Sequence, residues 1–352
     1  LSAASVILRT SLWMKSRRGP LVRAMGAGRK ISRPDPRVGV VRVAAVQMPF
    51  SFYRTGEAFA RDVSRLARRA AEGGAELVVF PEDLGTMLLG LLPRFERIEA
   101  LGSFDEALAA LGDGVRVADV VELASPATLR IYRTVLSEVA RSLGLLVQGG
   151  SIMVSTRDGR TFNQADLFGP KGRLLTTQRK CHLLPVEAEW GLAPGDDLDV
   201  VSTPLGMVAE PICMDATYFE TFRILRSKGA EIVCLPKADP EPVENPWKSL
   251  RGLWPRVQES PMYGVAAAMV GGAMGLSFSG HAEVLAPLEL TADGTGILAR
   301  SEEEGEDVVL ADLDMDALRA IRQDPAIRPN PAFVQAYFPG IYQGFWRGGA
   351  QR

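Results

Sequence analysis

Three side chains in this sequence have the chemistry to open an acyl bond: a thiol, a carboxylate and an ammonium. Cys213 ends the apolar run Met207-Val208-Ala209-Glu210-Pro211-Ile212 and precedes Met214 to Glu220, which reads as the first turn of a helix. A thiol at a strand-to-helix corner is held by the sheet and faces the positive end of a helix dipole, which favours thiolate. Glu82 closes Val78-Val79-Phe80-Pro81-Glu82, and Lys180 sits in Gln178-Arg179-Lys180-Cys181-His182-Leu183 with Glu187 a few residues on. A cysteine attacking an amide or nitrile carbon needs a base for its proton, a cation or N–H donors for the charge that develops, and a pocket that excludes water. The two histidines, His182 and His281, stand at no spacing that suggests a Cys-His pair. A carboxylate base with a lysine cation would do the same work, so the set reads as that of a cysteine-dependent hydrolase.

These residues need elements that bring them to one rim. Val41 to Gln47 is a buried strand bounded by Pro49. Residues 56–72 form an amphipathic helix stopped by Gly73-Gly74, and Glu76 to Phe80 is a strand that ends at Pro81-Glu82. Residues 85–125 lack clear periodicity and read as an inserted loop-and-helix segment, a candidate lid. A helix over 127–143 and a strand from Leu145 to Met153 follow. Asp158-Gly159 then turns a hairpin towards Lys180. Beyond Cys213 the pattern predicts a helix to about Lys228, a strand from Glu231 to Pro236, a helix over 247–260, four further strands and a closing helix, Met315 to Arg322. Alternating strands and helices exclude an all-α or all-β domain. They predict an α/β fold whose sheets are covered by helices on their outer faces.

The totals fit one large soluble body. The chain has 352 residues, 47% hydrophobic and 23% charged, with a net charge of −2. That balance gives no case for nucleic-acid binding. Cys181, Cys213 and Cys234 are too few for a disulfide framework, which places the chain in a reducing, cytoplasmic setting. No cysteine or histidine spacing suggests a metal. Residues 1–38 carry nine basic residues and a single acid, Asp35. This extension is open to three readings: a loose arm, a helix packed on the body or a partner, or a membrane-surface segment. The body spans 39–324. The tail, 325–352, holds Phe333, Tyr337, Phe338, Tyr342, Phe345 and Trp346 among Pro and Gly, and is expected to lie on a surface.

With these residues in view, the chain resembles the nitrilase, or carbon-nitrogen hydrolase, superfamily over about residues 41–325. Leu77 to Glu82 resembles its glutamate motif, Arg179 to Leu183 its lysine motif, and Ile212-Cys213-Met214-Asp215 its cysteine motif. Gly149-Gly150-Ser151 with Phe162-Asn163 resembles the hairpin before the lysine. The resemblance implies a four-layer α-β-β-α sandwich that forms a homodimer or a higher homo-oligomer. It implies Cys213 as nucleophile, Glu82 as general base and acid, Lys180 as the cation for the tetrahedral intermediate with the backbone N–H of Met214, and Glu187, rather than Glu189, as second carboxylate. It implies no metal or organic cofactor. Where many relatives carry Arg four residues after the cysteine, this chain has Thr217. Thr217 grips no carboxylate, so the expected substrate is a small, uncharged, partly apolar amide. His281 is expected at the pocket rim. The competing expectations are a nitrilase or acyltransferase with the same residues, or an inactive scaffold recruited to a membrane or partner.

Overall fold

Val43 and Ala45 point to one side of their strand and Ala44, Val46 and Met48 to the other, and all five are buried. A strand apolar on both faces must lie between two packed layers. The structure, a computed structural model, describes residues 3–26, 37–240, 252–302, 305–324, 330 and 332–336. The chain opens with α1 (Ala3–Lys15) and α2 (Arg18–Ala24), then β1 (Val40–Pro49), α3 (Gly56–Glu72) and β2 (Leu77–Val79). A 3-10 turn over Thr86–Leu91 and two short helices, α4 (Phe95–Glu99) and α5 (Phe104–Leu111), lead into the long α6 (Val117–Leu143). Next come β3 (Leu146–Gln148), β4 (Ile152–Ser155), β5 (Thr161–Phe168), β6 (Leu174–Arg179), α7 (Pro185–Glu189), β7 (Val201–Thr203) and β8 (Gly206–Ala209). A second 3-10 turn spans Cys213–Thr217, followed by α8 (Phe219–Ser227), β9 (Ile232–Lys237), α9 (Leu253–Glu259) and β10 (Tyr263–Ala273). The strands β11 (Leu276–Phe278), β12 (Glu283–Leu285), β13 (Ile297–Arg300) and β14 (Asp307–Asp314) precede α10 (Met315–Ile321).

One half of the sheet runs β4-β5-β3-β2-β1, with β6 beside β5 and β14 antiparallel to β1. The other runs β7-β8-β9-β10 and continues through β12 to β13. Among the described residues the halves join by strand pairing where Gln47–Pro49 of β1 run parallel to Ala268–Val270 of β10. Strand alternation sorts the side chains into three cores. Ala44, Val46 and Val78 pack under α3 and α6. Val43, Ala45, Cys234 and Val265 fill the space between the halves. Val233, Leu235 and Ala266 meet Phe222 of α8 and Val257 of α9. Three cores separate four layers, so the α-β-β-α sandwich is present.

Several boundaries differ from the sequence reading. The helix over 127–143 starts at Val117 and carries Pro126 inside it. The strand expected over Leu145–Met153 splits into β3 and β4 at Gly149-Gly150, because Gly150 has φ 68° and a Cβ there would lie 2.0 Å from the Pro81 carbonyl oxygen. The helix expected from Cys213 is a 3-10 turn, and the α-helix begins at Phe219. The first part of the helix expected over 247–260, the Pro34-Asp35-Pro36 linker and most of the aromatic tail lie outside the described residues.

The described part of the basic extension is packed on the body. Leu12 and Leu21 are fully buried in the core that α3 and α6 share. Arg18 reaches Glu138 at 3.1 Å, and Lys15 donates to the Leu91 carbonyl at 3.0 Å. Ile7, Trp13 and Met14 stay exposed, with the Arg130 guanidinium 4.3 Å over the Trp13 ring. Among the described residues no helix is long and apolar enough to cross a membrane. Removing the Leu21 side chain to Ala should cost about 2–5 kcal/mol of stability in chemical denaturation, as for other buried leucines. A change below about 1 kcal/mol would mean that α2 is not docked in solution.

Candidate active site

Glu82 follows Pro81 past the end of β2, which aims its side chain off the rim of the sheet. It is 3% exposed. Its Oε1 accepts hydrogen bonds from Lys180 Nζ at 2.8 Å and from Asn163 Nδ2 at 2.9 Å, and its Oε2 accepts from the Ala238 N–H at 3.0 Å. Lys180 ends β6 and is 1% exposed. It also lies 2.8 Å from Glu187 Oε2 and 2.9 Å from Oε1. Glu187 sits in the first turn of α7, where Oε2 also accepts the Leu184 N–H at 2.7 Å as a helix cap. Of the two carboxylates of α7, Glu187 is buried and Glu189 is exposed. Asn163 of β5 ties both acids together, donating 3.2 Å to Glu187 as well.

Burial sets the proton affinities. Glu82 is pushed up to about 7 by burial, with Lys180 pulling it back down and Asp83 and Glu187 raising it further. For Lys180 burial works against the charged form, yet Glu82, Cys213 and Glu187 outweigh it and the ammonium persists. The Cys213 thiol is raised well above the usual range by burial and by Glu82, with Lys180 opposing. Burial and Glu82 thus work against the thiolate that a helix dipole was expected to favour. The turn that starts at Cys213 is only five residues of 3-10 helix, too short for its dipole to offset desolvation. A protonated sulfur beside a carboxylate of pKa about 7 can hand its proton to that carboxylate as it attacks.

Cys213 has φ 42°, left-handed for a residue with a Cβ. Asp215 holds this conformation. Its Oδ2 accepts the Ile212 N–H at 2.9 Å, and its Oδ1 accepts the N–H groups of Cys181 at 3.1 Å and His182 at 2.8 Å. The His182 ring adds Nδ1 at 2.9 Å and stacks on Tyr218, with centroids 4.3 Å apart. The cysteine turn is thus tied to the residues that follow Lys180. Arg256 closes the far end of the turn, donating to the carbonyls of Ala216 at 3.0 Å and Thr217 at 3.1 Å.

A cavity of about 60 Å³ opens beside Glu82, Lys180 and Glu187. Its walls are mostly aromatic and aliphatic. Thr86, Leu89, Phe104 and Val117 of the inserted segment line it, and so do Leu276 and Phe278 of β11. The tight β10–β11 hairpin requires Gly272, where a Cβ would stand 2.0 Å from the Leu276 carbonyl. Cys213, Met214, Thr217 and His281 are not among the lining residues. Thr217 Oγ1 lies 3.5 Å from Met214 Sδ, and His281 Nδ1 lies 2.8 Å from the Ser301 carbonyl. Asp83, Asn163 and Asp215 were passed over as site residues. Asn163 and Asp215 stood inside quoted motifs, but their roles depend on contacts across the fold. No three His, Cys, Asp or Glu side chains group as metal ligands among the described residues.

The model of the carbon-nitrogen hydrolase family matches residues 42–323. A probable hydrolase, YhcX, of Bacillus subtilis is 27% identical over 297 residues, which is 82% of this chain and 52% of that relative; the chain thus spans about half its length. The omega-amidase NIT2 of Danio rerio is 32% identical over 203 residues, 54% of this chain and 68% of the relative. A nitrilase of Pyrococcus abyssi is 28% identical over 282 residues, 80% and 92% of the two chains. An amidase of Nesterenkonia sp. AN1 superposes with a TM-score of 0.59 at 22% identity, covering 84% of this chain and 97% of its own.

The proton arrangement can be tested without a substrate. Alkylation of Cys213 by iodoacetamide, followed by peptide mapping, should slow as pH falls below about 7, because protonated Glu82 can no longer accept the thiol proton. Glu82→Gln should remove that inflection. An inflection in the wild type only at ordinary thiol values would contradict the coupling.

Proposed function

Since the chain belongs to the carbon-nitrogen hydrolase family, we propose that it cleaves the C–N bond of a small amide through a thioester on Cys213. The observation that carries this reading is the buried ammonium of Lys180, held by Glu82 and Glu187 within 2.9 Å at the rim that also carries the cysteine turn. Paired carboxylates keep the lysine charged where a neutral amine would be useless against an oxyanion.

In this mechanism Cys213 Sγ bonds to the carbonyl carbon while Glu82 takes the thiol proton. Charge passing to the carbonyl oxygen is met by Lys180 Nζ and the Met214 N–H. As the oxyanion collapses the C–N bond breaks, and the departing nitrogen takes the proton from Glu82. Glu82 then removes a proton from water, whose oxygen attacks the thioester. The C–S bond breaks, the sulfur recovers a proton, and the carboxylic acid leaves. Glu187 and Asn163 hold Lys180 and Glu82 in register. Relatives named as omega-amidases favour an amide over a nitrile. Lys180 is the sole basic residue of the described lining and is already paired, which disfavours a substrate carboxylate. That agrees with Thr217 standing where an arginine would be. The expected self-association has support in Tyr218, Phe219 and Ile224, which are exposed around α8 at 39%, 39% and 43%.

Intact-protein mass spectrometry after brief exposure to a panel of amides and nitriles should find an acyl adduct on the wild type and none on Cys213→Ala. Release of the acid from an amide identifies an amidase, release of the acid and ammonia from a nitrile identifies a nitrilase, and transfer to an added amine identifies an acyltransferase. Lys180→Met should lower kcat by at least about a hundredfold, the usual cost of losing an oxyanion donor. A wild type that forms no adduct and turns over nothing would leave the scaffold reading standing.

A further inference from the structure

Three carboxyl groups and one ammonium face the cavity among the described residues: Glu82, Asp83, Glu187 and Lys180. Glu82 and Glu187 are satisfied by Lys180 and by Asn163. Asp83 stands apart from that network. Its Oδ1 is shut off from solvent and meets no hydrogen-bond partner, a costly condition for a carboxylate oxygen. The backbone holds it there under strain, with φ 63° and its N–H donated to Ser151 Oγ at 3.0 Å. Such strain persists only where the surroundings enforce it.

Much of the lining is aromatic. Phe50 meets Phe52 edge-on at 5.0 Å and Phe278 at 5.2 Å, and Phe104 stacks on Trp190 at 5.6 Å. All five rings line the cavity with Asp83. A small cavity lined by three carboxyl groups, one ammonium and five aromatic rings is complementary to an organic cation. It repels an anion for the same reason.

We propose that Asp83 selects, among small amides, those that also carry an ammonium group, which its carboxylate meets among the aromatic rings. This rests on the amide-hydrolase reading and moves its substrate from uncharged to cationic.

The test compares pentanamide, 5-aminopentanamide and glutaramic acid, followed by ammonia release and kcat/KM. The wild type should prefer the amine-bearing amide over pentanamide by at least about tenfold, as one charge-assisted hydrogen bond allows, and should use glutaramic acid worst. Asp83→Asn keeps the shape and tolerates the left-handed backbone. In that variant the ratio of the first two substrates should fall towards one. No preference in the wild type, or a ratio that Asp83→Asn leaves unmoved, would overturn the proposal. If none of the three is turned over, calorimetry on Cys213→Ala decides. Tighter binding of 5-aminopentanamide than of pentanamide, lost on adding Asp83→Asn, would uphold the cation site while removing the hydrolase reading. Equal binding would overturn the cation site itself.

Discussion

The buried ion cluster around Lys180 governs the rest of the site. One ammonium and two carboxylates are withdrawn from water, and removing charge from water is expensive unless each group keeps close partners. Lys180 has two such partners, Glu82 adds Asn163 and the Ala238 N–H, and Glu187 adds Asn163 and the Leu184 N–H. Because Glu82, Asn163, Lys180 and Glu187 lie in or beside different elements, the charges can be buried only if those elements meet at one rim. Electrostatics and topology therefore constrain each other.

Asp215 extends the same logic to the nucleophile. It spends a fully buried carboxylate on three backbone N–H groups and a histidine ring, and so joins the lysine loop to the cysteine loop. The left-handed backbone at Cys213 needs such enforcement. Strain in that region costs roughly 1–3 kcal/mol unless surroundings over-determine it. Arg256 supplies the complementary restraint at the carbonyl end of the turn.

Glu82 and Cys213 were legible because each ends a short apolar run, and Lys180 because it stands at the end of a hairpin strand, local patterns that need no partner to be seen. Glu187 was legible by its distance from Lys180 along the chain. Asn163 and Asp215 were not, since their value lies in bridging segments far apart in sequence. The helix expected at Cys213 failed for a related reason: composition suited a helix, but the Asp215 hydrogen bonds hold a tighter turn. The early start of α6 was hidden by Pro126, which the sequence rules treat as a stop. The sequence left three readings of the basic extension open, and the burial of Leu12 and Leu21, which no local pattern announces, shows its packing on the body. Of the inserted segment, its irregularity was visible, and four of its residues line the cavity.

The pairing of β1 has a consequence for biosynthesis. This strand lies against β2, made soon after it, but its other edge is covered by β14 along Val40–Gln47, and its last residues, Gln47–Pro49, wait for β10. Both partners are made in the last third of the chain. Until then one edge of an almost wholly apolar strand has no neighbour, the situation in which nascent chains recruit the wrong one. Contacts this distant in sequence also slow folding. The last strand of the body thus completes the sheet begun by the first, and a chain that stops short of residue 314 lacks more than its end: it lacks the cover for its own centre.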